Sequence, residues 1–153
     1  MNDPKMWAAG AVAIALALVL AVGHPARAEG DPAFGDWLTQ AKDGKVRVGP
    51  CAANLAQACG TLFWAKPPPD APPGPLHDRH NPDAALRSRP LIGALIISDF
   101  RRESPGHWLD GKIYDPDSGK TYKSKMLVAP DGNLKVSGCV LMFCQAQTWT
   151  RVN

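Results

Sequence analysis

The stretch Trp108-Leu109-Asp110-Gly111-Lys112-Ile113-Tyr114-Asp115-Pro116-Asp117-Ser118-Gly119-Lys120 sets short strand-like runs between turn residues. Asp-Gly is a strong two-residue hairpin signal, because both positions of a type I′ turn need positive φ. It predicts a turn at Asp110-Gly111 joining Trp108-Leu109 to Lys112-Ile113-Tyr114, and the Asp115 to Gly119 stretch predicts another, into a run over 120–128. Working outward, strand composition recurs at 34–40, then after Ala41-Lys42-Asp43-Gly44 at Lys45-Val46-Arg47-Val48, whose alternation has the period of a half-buried strand. Further runs cover 60–65, the almost wholly apolar 91–98 (read as a buried strand), 134–140 after Pro130-Asp131-Gly132-Asn133, and 144–152. These make about eight strands, with no helical period beyond two turns. An antiparallel set of this size must hide its edges, and closing on itself does so fully. The expected fold is therefore all-β: a single antiparallel up-and-down barrel. A two-sheet sandwich is the competing architecture. A barrel of this size is just wide enough to be filled by side chains or to hold one small ligand.

Composition excludes other classes. The chain has 153 residues, 45% hydrophobic and 20% charged, too apolar for a disordered protein and too charged for a bundle of membrane spans. The formal charge is +3, and the Lys and Arg residues are scattered rather than striped, so no nucleic-acid partner is expected. Residues 1–28 read as a secretory signal: Lys5 gives the positive start, residues 8–23 are uncharged, and His24-Pro25 breaks the helix before Ala26-Arg27-Ala28. The run is short for a membrane span, so no stable anchor is expected after cleavage. Residues 29–153 are then one exported domain, periplasmic or secreted.

All four cysteines (Cys51, Cys59, Cys139 and Cys144) fall in that domain. An even number in a small exported chain reads as disulfides, and the intervals do not match zinc knuckles. Three connectivities exist. The local pairs Cys51–Cys59 and Cys139–Cys144 are favoured, because each flanks a turn between strand-like runs, and each is worth about 2–3 kcal/mol.

Residues 66–90 interrupt the meander and hold eight of the fifteen prolines. So long a connection is commonly a binding loop, a lid or a disordered segment. Its second half offers capping oxygens at Asn81-Pro82-Asp83 and one helical turn over 84–87. The segment Asn81-Pro82-Asp83-Ala84-Ala85-Leu86-Arg87-Ser88-Arg89-Pro90-Leu91-Ile92-Gly93 resembles the central signature of the domain-of-unknown-function 2147 family (DUF2147), small exported bacterial proteins. The resemblance extends through Gly35-Asp36-Trp37, Cys59-Gly60, Gly111 to Pro116, Gly119-Lys120-Thr121-Tyr122, Gly138-Cys139 and Thr148-Trp149-Thr150-Arg151. It departs at Cys51 to Cys59, an interval longer than is usual in the family. The resemblance implies a lipocalin-like (calycin) barrel of unestablished function. In such barrels a Gly-x-Trp on the first strand crosses the closed end beneath an Arg from near the last strand. Gly35, Trp37 and Arg151 match those roles, and Trp149 joins them as a structural residue near the chain end.

Candidate sites are few. Asp78, Asn81, Asp83, Arg87 and Arg89 form the densest polar cluster. Two arginines there suit a carboxylate or phosphate. The competing reading is that Asp83 caps a turn and pairs with Arg87, holding the loop to the barrel. Trp64, Trp108, Tyr114 and Tyr122 are the aromatics available to line a cavity. His77 and His80 stand three apart but lack a third ligand, and a calcium loop at Asp115 would need Glu where Met126 stands, so no metal or cofactor is expected. No Ser lies in a nucleophile elbow, so a hydrolase is the least supported class. The expected function is non-enzymatic binding of a small, largely apolar ligand in or at the barrel mouth. The alternative is an envelope protein-interaction module with a filled barrel.

Overall fold

The computed structural model describes residues 30–152. The expected signal segment lies outside them. Eight strands follow in order: β1 (Gly35–Leu38), β2 (Gly44–Pro50), β3 (Gln57–Ala65), β4 (Leu95–Ser104), β5 (His107–Asp115), β6 (Lys120–Val128), β7 (Leu134–Val140) and β8 (Phe143–Arg151). Each pairs antiparallel with its neighbour, and β1 returns to β8 to close the barrel. The closure is thin: Trp37 faces Arg151 and Leu38 faces Thr150. The four-residue β1 thus leaves Phe143 to Trp149 of β8 paired with β7 on one side only.

Alternation does what it promised on β2, where Gly44, Val46 and Val48 point inward and are buried. The expected hairpin at Asp110-Gly111 is corrected: β5 runs straight through it. The chain turns earlier, at Pro105-Gly106, and the Asp-Gly pair marks a shift of the β5–β6 register between Trp108 and Gly111, with Asp110 at φ 57°. The positive φ of Asp110 suits this irregularity as it would suit a type I′ turn, so the same dipeptide serves either. Gly111 lies under the Phe100 ring, which stands 2.3 Å from where a Cβ would be. The run over 91–98 is also corrected. Leu91 to Ala94 instead form a turn beside β3, Ala94 N donating to Leu91 O at 3.0 Å and Gly93 N to Leu62 O at 2.8 Å, and the strand begins at Leu95. Ile96 and Ile97 are buried, whereas Ile92 and Leu95 are exposed.

One end of the barrel is plugged. Trp37, Phe100, Trp108, Met126, Leu134 and Val136 fill it. The Arg151 guanidinium lies 4.2 Å from the Trp37 ring centroid and donates to Phe34 O and Pro32 O at 3.1 and 2.6 Å. Gly35 has no side chain where Arg151 Nη1 passes. Asp31, which the sequence did not single out, accepts from the backbone N–H of Ala33 and Gly106, from Trp108 Nε1 and from Arg102 Nε, all within 3.2 Å. Burial pushes its carboxyl up, but these donors outweigh it and hold the carboxyl below the usual range. Cys51–Cys59 closes the β2–β3 loop at this end, and Cys139–Cys144 closes the β7–β8 turn at the other.

Candidate functional site

The open end is built from the β1–β2, β5–β6 and β7–β8 turns and from the long β3–β4 connection. Between them lies a cavity of about 1560 Å³. Its floor is apolar and drawn from around the barrel: Val46, Leu62, Ile96, Ile113, Tyr122 and Trp149. Large side chains crowd the plugged half, whereas Gly44, Ala65 and Gly138 line the open half, and this contrast in size leaves the space. The proline stretch over 67–75 runs along one side as a wall.

The second half of the long connection is fastened to the barrel by one carboxylate. Asp78 is fully buried and accepts from Tyr114 Oη at 2.5 Å, Asn81 Nδ2 at 2.8 Å, and Arg89 Nη2 and Nε at 2.7 and 3.0 Å. Burial raises its pKa and the donors lower it, with a net shift downward. Tyr114 answers in the opposite sense: burial first, then the adjacent Asp78 carboxylate, push its hydroxyl up to about 12. Arg87 Nε donates to Asn81 O at 2.8 Å, and Asp83 Oδ1 accepts from Ala85 N, capping the short 3-10 turn Ala84–Leu86. The β5–β6 turn completes the seat. At Gly119 (φ 69°) a Cβ would stand 1.8 Å from the His80 carbonyl oxygen, so the His80 backbone rests directly on this turn.

The candidate residues thus separate by place. Tyr114, Tyr122 and Trp149 line the cavity, with Trp149 Nε1 donating to Gln147 Oε1 at 3.1 Å. Asp78, Asn81, Arg87 and Arg89 converge in the fastening, and neither arginine lines the cavity: Arg89 is drawn to the buried Asp78 carboxylate, which needs its donors, and Arg87 to the Asn81 carbonyl. Asp83 caps its turn, and the guanidinium of Arg87 is engaged with the Asn81 carbonyl. Trp64 faces outward, with Lys45 Nζ 5.2 Å from its ring. Trp108 belongs to the plugged end, where it stacks on Phe34. The rim instead carries His77, Arg79 and His80, which the sequence alone marks only as loop residues, and Gln145 and Gln147 on the inner face of β8. Period-two alternation back from Trp149 would have found the two glutamines.

A closed eight-stranded up-and-down barrel, plugged by a Trp–Arg pair at one end and open at the other, defines a lipocalin-like protein. The structure is similar to that of protein HP1028 from the human pathogen Helicobacter pylori, described as belonging to the lipocalin family. The TM-score is 0.65 at 21% identity, over 79% of this chain and 83% of that one. No curated protein matches the chain. The family model described as "Uncharacterized protein conserved in bacteria (DUF2147)" matches residues 35–151, and the chain belongs to that family.

Proposed function

We propose that this protein is an exported bacterial binding protein that holds a small, largely apolar ligand in the cavity at the barrel mouth. The cavity carries the reading: its floor is apolar, and polar side chains ring its mouth. Such a floor rewards an apolar body, while Arg79, His77 and His80 can meet a polar end. The proline stretch over 67–75 is the lid, stiffened before folding so that ordering it costs little entropy. Two disulfides suit an oxidising compartment, and with the leader-like residues 1–28 they support a periplasmic or secreted location.

The test is a thermal-shift titration of the chain from Glu29 onward with fatty acids, isoprenoids, and a lipid extract of the native host. At least one class should raise Tm in a saturable way and displace the fluorescent hydrophobe N-phenyl-1-naphthylamine. If no class raises Tm and the probe does not bind, the cavity is not a ligand site.

A further inference from the structure

The β7–β8 turn at the barrel mouth ends in Val140-Leu141-Met142-Phe143, four consecutive apolar residues that are 56, 93, 85 and 81% exposed. A soluble surface tolerates single apolar side chains, but four together on one protrusion are unusual. The protrusion is also braced. Cys139 and Cys144 face each other across the hairpin and are bonded, so the four residues stand on a closed two-strand base.

The surroundings point to the occupant. The mouth-side halves of β6, β7 and β8 carry Lys120 and Lys123 and no Asp or Glu, while Asp115 and Asp117 stand on the adjoining β5–β6 turn. Lys120 begins β6 at the mouth, and Lys123 is paired with Cys139 and shares a shallow groove with Val140 and Leu141. An apolar tip with Lys123 beside it and Lys120 at the rim is complementary to an anionic bilayer, with hydrocarbon for the tip and negative headgroups for the ammonium groups. Convexity favours the same partner. A protein would need a matching pocket to bury a tip exposed on all sides, whereas a bilayer yields around it.

We propose that the Val140 to Phe143 tip inserts reversibly into an anionic lipid surface, with Lys120 and Lys123 at headgroup level. Val140 and Phe143 also line the cavity, so docking turns the barrel mouth toward the bilayer. The docking stands on the tip and the lysines alone and holds whether or not the cavity carries a ligand.

The experiment is flotation of the chain from Glu29 onward, which contains the whole barrel core, with vesicles of phosphatidylcholine alone or mixed with phosphatidylglycerol. Binding is expected to the mixed vesicles, weakening as salt rises. Leu141→Asp or Phe143→Asp should weaken it about tenfold or more each, at unchanged Tm, because both side chains are in water in the free protein. Lys123→Glu should weaken binding to the mixed vesicles only. Phe143→Trp, which keeps the tip apolar, should shift its fluorescence to the blue when mixed vesicles are added. Equal flotation of wild type and Leu141→Asp, absence of flotation, or an unshifted emission from the Phe143→Trp variant would overturn the proposal. Self-association abolished by Leu141→Asp without vesicles would also overturn it, giving the tip to a second copy of the chain.

Discussion

Taking a carboxylate out of water costs several kcal/mol unless donors replace its hydration, and Asp78 has Tyr114, Asn81 and two nitrogens of Arg89 for that purpose. Asp78→Ala leaves two buried donors unmet, while Arg89, one-third exposed, can turn to solvent. The expected loss is about 2–4 kcal/mol by chemical denaturation. Tyr114→Phe removes one donor and should cost about 1–2 kcal/mol. The pH dependence has a defined sign. The folded pKa of Asp78 is lowered, so the unfolded chain takes up its proton first on acidification. Its stabilisation is present above the unfolded value of about 3.9 and is lost as pH falls below that range. Asp78→Asn should flatten this part of the acid limb without abolishing it, since Asp31 is lowered in the same way. For Tyr114 the folded value is raised to about 12, so the folded state keeps a proton that the unfolded state gives up near 10. Stability should fall between these two values, and an ultraviolet titration should show one phenol ionising late, absent in Tyr114→Phe. The polar cluster was legible in the sequence because its members lie within twelve residues. Tyr114 was named only as an aromatic, since its partnership with Asp78 spans 36 residues.

Between residues and fold, the long β3–β4 connection owes its order to where it touches down. Gly119→Ala would force a methyl into the His80 carbonyl at a backbone angle that L side chains avoid. Lifting this seat should raise amide exchange across residues 78–90 while the strand amides stay protected, readable by hydrogen-exchange mass spectrometry. Replacing Cys139 and Cys144 together by Ser should cost about 2–3 kcal/mol and loosen the β7–β8 hairpin first. Alternation made β2 readable as a strand, and the turn residues before them marked β6 and β7. Two elements misled for physical reasons. Asp110-Gly111 suits a turn and a strand irregularity alike, and Leu91 to Gly93 make a turn beside β3, where Leu91 packs on the core and Ile92 is exposed.

Residues 30–152 form a barrel filled at one end and hollow at the other, and the proposed ligand site lies in the hollow half. Its closure was legible from the count of hairpins and the Gly35, Trp37 and Arg151 positions. The cavity was not, because it depends on which small residues from different strands share a level, and parity is fixed by sequence only within each strand. Gly44, Ala65 and Gly138 are far apart in the chain and meet only across the mouth. Gly138 offers the direct handle: a Cβ there would make ordinary contacts at 3.5 Å with Ile113 and 3.8 Å with Tyr122, so a large side chain can enter the hollow. Native mass spectrometry of wild type and Gly138→Trp, both purified from the native host, reads this most directly. Wild type should carry a discrete small apolar adduct, and Gly138→Trp, equally folded by Tm, should carry far less of it. Wild type with no added mass, or an adduct retained in full by Gly138→Trp, would contradict a ligand in the barrel mouth.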